Sequence, residues 1–259
     1  VYSTAIGDRL RAEVPGSMRG AVLARGRLYY AAAAGLLQAA RHGGTPFEIV
    51  HGTTFFDHLH AHPAESASFQ ASMAARAAGE AAAVVAAYDF ARFTDLVDVG
   101  GGTGVLLAAI REAAPGLDAV LFDRPEVVAG CAQPAVGGDF FTEVPAGAQA
   151  YLLSRVIHDW PDPDAVAILT TCRRAMPPQG VLLLVEAVLP QRAAADPAAI
   201  RMDLHMLTLL GGRERTVTEF TGLLDAAKLY LTAVIPADPA SGVHVLEARH
   251  RSGGKAAGR

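Results

Sequence analysis

The sequence predicts an α/β protein in which a doubly wound, mainly parallel sheet ends in an antiparallel hairpin and follows a helical region. Two observations predict this class. Residues 1 to about 90 carry apolar side chains at helical spacing, with stops at Gly43-Gly44 and Pro63. From Asp95 onward, short apolar strands alternate with helices, which is typical of a parallel sheet covered on both faces.

The elements follow one another in a simple order. The segment VYS is β-like, and the first helix is predicted to begin at Gly7-Asp8. After Asp95 the predicted strands are DLVDVG, DAVLFD, AQAYLLSRVI, VLLLVEAVL, YLTAVIP and GVHVLEA, and the predicted helices are TGVLLAAIREAAPG, DPDAVAILTTCRRAMPPQG and TVTEFTGLLDAAKL. Only ADPAS joins the last two strands, so they should form an antiparallel hairpin. We predict a helical region at 1–90, an α/β domain at 91–250 and a flexible tail at 251–259.

Composition narrows the class of partner. The 259 residues are 51% hydrophobic and 19% charged, with a formal net charge of −4, so neither nucleic acid nor an anionic membrane is expected as a partner. No stretch reaches the ~18 uninterrupted apolar residues of a membrane span, and no secretion signal is evident. Cys131 and Cys172 lie in no CxxC or zinc-like spacing. We therefore expect a reducing, cytoplasmic environment.

A glycine loop follows the first strand. Gly100, Gly102 and Gly104 allow the backbone to approach a ligand, and ligands of open α/β sheets bind beyond the carboxyl ends of the strands. A dinucleotide fingerprint would need a third glycine at Val105. The observed spacing, preceded by Asp98, favours an amino acid and a nucleoside over a pyrophosphate. The alternative is a tight turn without a ligand.

Two further acidic positions follow strands in the same half of the chain. Asp123 ends the second strand, where an acid can accept hydrogen bonds from ribose hydroxyls; alternatively it caps the helix that begins at Pro125. Asp139 and Phe140 offer a carboxylate for an exocyclic amine and a ring that can stack on adenine. An acid at each strand end is typical of the S-adenosylmethionine site that class I methyltransferases share, and this part of the chain resembles that site.

The fourth strand ends in the motif SRVIHDWPD, which places His158 at the ligand-binding edge of the sheet. The alternative is structural: Asp159 or Asp162 would cap the next helix, and His158 and Trp160 would pack against it.

Two glutamates favour a chemical role for this histidine. Glu186 interrupts the apolar strand VLLLVEAVL, where an unpaired charge would cost several kcal/mol. It therefore needs a partner, and His158 on the neighbouring strand is a good one. Glu214 stands in a loop before a helix. The alternative for Glu214 is a solvated charge paired with Arg213 or Arg215.

Six motifs then carry a resemblance over nearly the whole chain, from Val1 to about Ala248. DVGGGTG, LFDRPEVV, GGDFF, SRVIHDWPD, VEAVLP and DLHMLTLLGGRERT occur in the order seen in small-molecule O-methyltransferases, such as the plant caffeate, flavonoid and acetylserotonin enzymes and bacterial enzymes that decorate polyketides. The resemblance implies a class I methyltransferase Rossmann-like fold and a winged-helix dimerisation domain at the N-terminus. We expect the helical region to be the remainder of that domain, a homodimer, and an N-terminal portion beyond Val1.

The same resemblance implies roles for individual residues. His158 would be the general base, with Glu186 and Glu214 flanking and orienting it. S-adenosylmethionine would be the cofactor, leaving as S-adenosylhomocysteine. No metal would be required, and no cluster of residues in the sequence has metal-ligand spacing. The implied cofactor contacts are Asp98, Gly100, Gly102, Gly104, Asp123, Arg124, Asp139, Phe140, Ser154 and Arg155.

A phenolic acceptor suits this chemistry. A phenol has a pKa of ~10 and an imidazole titrates near ~6.5, so His158 is expected to accept the phenolic proton at neutral pH. The oxygen then attacks the sulfonium methyl in line, with positioning supplying most of the acceleration.

The acceptor pocket is expected to come from apolar residues of the helical region and of the segment before Glu214. The expected wall consists of Met73, Asp203, Met206 and Leu210, with Phe55, Phe56 and His51 as further candidates. Each of these also has an ordinary core interpretation. The three histidines His58, His60 and His62 are not expected to converge on one helix face.

Three other functions stay open. A relative with this fold could perform hydroxylation or decarboxylation, which the retained histidine and glutamates disfavour. An NAD-dependent dehydrogenase is disfavoured by the glycine spacing. A non-catalytic, ligand-binding dimer is the third. The chain between Asp123 and Asp139 is also shorter than expected from the resemblance, which bears on the adenine side of the site.

Overall fold

A helical region precedes the sheet. The computed structural model describes residues 3–14, 17–192, 195–238 and 242–251. Its first helices are α1 (Ala5–Asp8), α2 (Arg19–Ala24), α3 (Tyr30–Ala33), α4 (Leu36–His42), α5 (Pro46–His51), α6 (Phe55–Ala61) and α7 (Pro63–Ala87), and a π-helical segment at Arg25–Tyr29 joins α2 to α3. The first helix begins at Ala5 rather than at Gly7, because the Thr4 side chain accepts a hydrogen bond from the Gly7 amide.

The second part of the chain alternates strands and helices. These elements are β1 (Asp95–Val99), α8 (Val105–Ala113), β2 (Asp118–Asp123), α9 (Pro125–Val128), β3 (Ala135–Gly137), β4 (Ala150–Ser154), α10 (Asp162–Ala175), β5 (Val181–Leu189), α11 (Pro197–Leu210), β6 (Arg215–Thr216), α12 (Val217–Ala226), β7 (Leu229–Asp238) and β8 (Val243–His250). Short 3-10 turns lie at Phe90–Arg92 and Ile157–Asp159.

The sheet has the order β3-β2-β1-β4-β5-β8-β7, with β6 paired to β5. The pairs from β3 to β5 are parallel, whereas β8 is antiparallel to both β5 and β7. The predicted fold class and its C-terminal hairpin are therefore confirmed. The order reverses between β1 and β4, and the loops after these two strands meet at one edge, which is where open α/β sheets bind ligands.

Both faces of the sheet are covered, which explains the uninterrupted apolar strands. Along β4, Tyr151 and Leu153 face the core that includes Ile168 of α10, whereas Leu152 faces the core that includes Leu107 of α8. Successive side chains of a strand point to opposite faces, so a strand buried on both faces has no polar alternation.

A third apolar cluster joins the helical region to α11. It consists of Leu28, Ala32, Phe47, Phe55, Leu59 and Leu209. Because five of these residues precede α7 and Leu209 belongs to α11, the early helices and α11 form one wall above the ligand-binding edge of the sheet.

The structure departs from the sequence-based expectations at several places. The fourth strand ends at Ser154 and not at Ile157, because Arg155 takes a left-handed backbone conformation with φ 57°. The short strands β3 and β6 and the helix α11 were not predicted as elements. The domain boundary near residue 90 stays a prediction, and Val1-Tyr2 and 252–259 of the tail lie outside the described residues. No helix in the described part of the chain is long and apolar enough to span a membrane.

The contact between Tyr88 and Glu247 fastens the end of α7 to β8. The Tyr88 hydroxyl donates to Glu247 Oε2 at 2.7 Å in a buried setting. Tyr88→Phe should lower the free energy of unfolding by about 1 to 3 kcal/mol, because it leaves a buried carboxylate short of a donor. Urea unfolding measures this. Tyr30→Phe is the control, since Tyr30 is 83% exposed and should change stability by less than about 0.5 kcal/mol. Equal stabilities of the two variants would contradict the assignment.

Candidate active site

A cavity of about 1330 Å³ lies between the helical region and the ligand-binding edge of the sheet. The loop after β1 contributes Gly100, Gly101 and Gly102, and the end of β4 contributes Ser154 and His158. Its size is adequate for two small molecules bound side by side.

The glycine loop presents its backbone to this cavity. Gly102 has φ 59° and donates its amide to Asp123 Oδ2 at 2.8 Å. A side chain at Gly101 would collide with the Asp98 carboxylate and with Leu121, so the loop needs glycine at this position. Gly101 was not among the residues predicted from the sequence. Thr103 also lines the cavity and was missed. The run of three glycines was the available signal for Gly101.

Asp98 is the acidic residue that fits a ligand best. It lines the cavity, its side chain is almost fully buried, and Oδ1 has no hydrogen-bond partner among the described residues. Burial, and secondarily the charge of Asp123, raises the pKa of Asp98 from 3.8 to about 7. A buried oxygen without a partner is costly, so a donor on a ligand would relieve that cost.

The remaining predicted cofactor contacts lie outside the cavity wall. Asp123 accepts from the amides of Gly102 and Arg124, and Arg124 pairs with Glu126 at 3.2 Å. Asp139 is exposed and caps its own turn through the Phe141 amide.

Phe140 and Gly104 complete this group. The Phe140 ring packs edge-on against Trp160, with 6.0 Å between ring centroids, and a side chain at Gly100 would lie 3.6 Å from it. Gly104 forms the N-cap of α8. The structure therefore brings Asp98, Gly100, Gly102, Ser154 and Arg155 to the cavity, and does not bring Gly104, Asp123, Arg124, Asp139 or Phe140 there.

His158 lies on the 3-10 turn after β4 and borders the same cavity. Its Nδ1 is 3.1 Å from Glu214 Oε1 and 3.5 Å from Glu186 Oε2. Because a carboxylate only accepts hydrogen bonds, Nδ1 carries a proton. Nε2 lies 3.3 Å from Asp159 Oδ1. The predicted histidine and both predicted glutamates are thus in mutual contact.

Glu186 is fully buried in β5. Its Oε1 accepts from the amides of Val156 and Ile157, at 3.1 and 2.8 Å. Burial raises the pKa of Glu186, and His158 opposes that shift.

Glu214 is also buried, with 2% exposure. The alternative of a solvated charge paired with Arg213 or Arg215 is wrong, because both of these arginines instead bond Asp162. Asp203 does not line the cavity; its Oδ1 accepts from the Glu214 amide at 2.9 Å, so it positions Glu214.

The segment that carries Glu214 also holds the His158 turn in place. Arg215 is fully buried and donates to the carbonyls of Ile157 and Trp160, at 2.9 and 2.7 Å. The Arg213 amide donates to the His158 carbonyl at 2.8 Å. The role of Arg215 was not predicted from the sequence, because an arginine in a charged loop motif gives no sign that it is buried. The proposed capping by Asp159 or Asp162 is not observed, since α10 has no side-chain cap.

The charges around His158 favour its protonated form. Burial by itself lowers the pKa of His158, but Glu186, Asp159 and Glu214 outweigh it and raise the pKa to about 9. The expectation of an ordinary imidazole near ~6.5 is wrong for this environment. These carboxylates therefore favour the imidazolium form of His158 at neutral pH.

The atoms of His158, Glu186 and Glu214 that face each other lie within 4.8 Å of one another, a spacing that could also hold a metal ion. The expectation that no group has such spacing is therefore wrong within the described residues. A proton on Nδ1 accounts for the same geometry, and the absence of a metal stays a prediction.

The acceptor wall agrees in part with the expected one. Met73, Met206, Leu210, Phe55 and Phe56 line the cavity. His51 does not, and stacks on Phe47 with 4.2 Å between ring centroids.

Two residues of the cavity wall were not predicted from the sequence. Tyr29 of the π-helical segment and His205 of α11 both line the cavity, with ring centroids 5.2 Å apart; π-helical turns often occur at functional sites. His58 and His62 stack with 4.0 Å between ring centroids, whereas His60 is exposed, so the three histidines do not converge on one face, as expected.

Comparison with known proteins gives one family. A family model described as an O-methyltransferase domain matches residues 33–229. The chain is 41% identical to the phenazine O-methyltransferase PhzM of Lysobacter antibioticus over 258 residues, which cover 95% of this chain and 74% of that protein. It is 38% identical to the O-demethylpuromycin-O-methyltransferase of Streptomyces alboniger, covering 89% of this chain and 65% of that protein.

A solved structure agrees with this family. It is an O-methyltransferase from neocarzinostatin biosynthesis, NcsB1, in complex with S-adenosylmethionine and 2-hydroxy-5-methyl naphthoic acid. That chain superposes with a TM-score of 0.84 at 34% identity, covering 95% of this chain and 77% of that chain.

The raised pKa of Asp98 makes a pH-dependent prediction. Between the ordinary pKa of 3.8 and the folded-state value of about 7, the unfolded chain is ionised at this position while the folded chain holds a proton. Folding is therefore disfavoured as the pH rises, by about 1.4 kcal/mol per pH unit. Asp98→Asn cannot ionise, so its stability relative to wild type should increase from pH 5 to pH 7 at about that rate. Urea unfolding at several pH values tests this, and a constant difference would be inconsistent with it.

Gly212 tests the support of the His158 turn. A side chain there would collide with the carbonyls of His158 and Asp159, so Gly212→Ala should lower the free energy of unfolding by about 1 to 3 kcal/mol. Gly222→Ala in α12 is the matched control: nothing lies within 4 Å of an added Cβ, and stability should rise by about 0.5 to 1 kcal/mol. If both variants shift the urea midpoint in the same direction, the crowding argument is wrong.

Proposed function

Because the chain belongs to the O-methyltransferase domain family, we propose that it transfers a methyl group from S-adenosylmethionine to a hydroxyl group, phenolic in kind, of a small aromatic or polyketide-type acceptor. The observation that carries the proposal is that His158, held through Nδ1 by Glu214, borders the same cavity as Asp98 and the glycine loop.

The residues at the cavity fit the cofactor. S-adenosylmethionine, when bound, supplies an electrophilic methyl group on a cationic sulfur. Asp98 offers an ammonium group a buried oxygen that has no hydrogen-bond partner in the described part of the chain, and Gly100 to Gly102 leave room for the ligand against the backbone. Asp123, Asp139 and Phe140 stay predictions for the ribose and adenine side.

His158 acts as the general base in this proposal. Its Nδ1 is occupied by Glu214, so Nε2 is the atom that takes the phenolic proton. Glu186 and Glu214 fix the tautomer and stabilise the imidazolium that results. The raised pKa of His158, about 9, is closer to the ~10 of a phenol than that of an ordinary imidazole, which favours acceptance of the phenolic proton. The same pKa requires that His158 first lose its resting proton, and we expect activity to rise with pH from about 6 toward about 9.

The acceptor wall of Met73, Met206, Leu210 and the two phenylalanines suits a flat apolar ring. The relatives named above act on a phenazine and on O-demethylpuromycin. We therefore include hydroxyphenazines and hydroxynaphthoates with phenolic polyketides and hydroxybenzoates in an acceptor panel. A homodimer, a cytoplasmic location and catalysis without a metal are further parts of the proposal, and EDTA-treated protein tests the last of them.

The test is transfer of labelled methyl from S-adenosylmethionine to this panel. His158→Ala should lower kcat by about 10² to 10⁴ while binding of S-adenosylhomocysteine is retained. His60→Ala is the control, because His60 is exposed on α6. Unchanged turnover in His158→Ala would exclude the general-base role. A wild-type chain that binds neither S-adenosylmethionine nor its product would exclude the proposed function and leave a non-catalytic role.

A further inference from the structure

Arg155 has an unusual backbone at a critical position. It directly follows β4, three residues before His158, and has φ 57°. Residues with a side chain rarely adopt this left-handed conformation, and they keep it where the surroundings impose it. The Arg155 amide donates to the Val185 carbonyl at 3.0 Å, so β5 holds the backbone at this point.

The Arg155 side chain is held by Glu80 of α7. Nε lies 3.1 Å from Glu80 Oε2, and Nη2 lies 2.8 Å from Glu80 Oε1. Both side chains are largely buried, with 15% and 12% exposure. Two parallel hydrogen bonds between a guanidinium and a carboxylate fix the direction of the arginine as well as its position.

The third nitrogen of the Arg155 guanidinium group, Nη1, faces Glu214. Nη1 is buried and lies 3.6 Å from Glu214 Oε1, the same oxygen that lies 3.1 Å from His158 Nδ1. Glu214 thus stands between the guanidinium and the imidazole. Burial opposes the charge of Arg155, but Glu80, Glu186 and Glu214 raise its pKa, so the guanidinium stays charged.

We propose that Arg155 is a positioning residue and not a cofactor contact: held by Glu80, it orients Glu214 and offsets part of the negative charge that Glu214 and Glu186 direct at His158. This rests on the proposed function only in that His158 is the base. It replaces the cofactor role that the sequence resemblance implies for Arg155, because the hydrogen bonds of Nε and Nη2 go to Glu80 and Nη1 faces Glu214.

The groups that face His158 make the sign of the effect definite. Asp159 faces it from the same turn, Glu186 from β5 and Glu214 from the segment before β6. These carboxylates favour the imidazolium, whereas the nearby positive charge of Arg155 disfavours it. Glu80 in turn neutralises Arg155. Removing Arg155 should therefore strengthen proton binding by His158, and removing the charge of Glu80 should weaken it.

The test is the titration of His158 followed by NMR on the full chain with labelled histidine, assigned with His158→Ala. In Arg155→Met the pKa of His158 should rise by about one unit, in Glu80→Gln it should fall, and Arg155→Lys should restore most of the wild-type value. The pH at which methyl transfer reaches half its maximum should move in the same directions. Arg251→Met and Asp225→Asn, which break an exposed ion pair, are controls with the same charge changes.

Shifts of the His158 pKa in opposite directions in Arg155→Met and Glu80→Gln support the proposal. The titration does not require turnover, so a chain that is inactive on every acceptor would contradict only the proposed function. Equal or absent shifts in Arg155→Met and Glu80→Gln would mean that the pair is only a structural clamp, and would overturn the proposal. Weaker binding of S-adenosylhomocysteine in Arg155→Lys and Arg155→Met with an unmoved His158 titration would overturn it in favour of a cofactor contact. If Arg155→Met does not fold, Arg155→Lys and Glu80→Gln still give the comparison.

Discussion

The buried carboxylate of Glu186 is the constraint on which the site depends. One of its oxygens accepts from the amides of Val156 and Ile157 and the other faces His158. Those two amides lie where β4 stops pairing, so they would otherwise be buried without acceptors, at a cost of about 1 to 3 kcal/mol each. A charge placed in an apolar strand thereby shapes the turn that carries the histidine and also supplies the histidine with its partner.

In the cluster of His158, Glu186 and Glu214, burial disfavours charge and the attraction between opposite charges favours it. At His158 the combined attraction is the larger effect. Burial alone disfavours every charge in the cluster, which is why the pKa of Glu186 is raised and why burial lowers the pKa of His158. The nearby carboxylates nevertheless raise the pKa of His158 to about 9. Charges alternate along the path Glu80, Arg155, Glu214 and His158, so each buried charge has a neighbour of opposite sign, as buried charges require.

Local pattern was enough to predict most of the framework. Apolar runs broken by helices indicated a parallel sheet, and the unmatched charge of Glu186 in an apolar strand indicated a partner on the next strand. The features that could not be predicted depend on contacts between distant parts of the chain. Arg215 is buried because it bonds the carbonyls of the His158 turn, and Asp203 serves Glu214; neither contact leaves a periodic signal. The end of β4 was misplaced for the same reason, since the backbone of Arg155 is set by β5 and α7.

The proposed catalytic residues and the proposed acceptor wall come from different parts of the fold, and polar contacts connect the two parts. Glu186 and Asp98 stand on strands and His158 on the turn that follows β4, whereas Phe55, Met73 and Met206 belong to helices. Glu80 of α7 binds Arg155 directly after β4, and Tyr88 directly after α7 binds Glu247 of β8. Because Arg155 also faces Glu214, a change in the position of α7 would alter the charge around His158 as well as the shape of the wall. The proposed role of Arg155 therefore predicts that acceptor binding against α7 changes the proton affinity of His158.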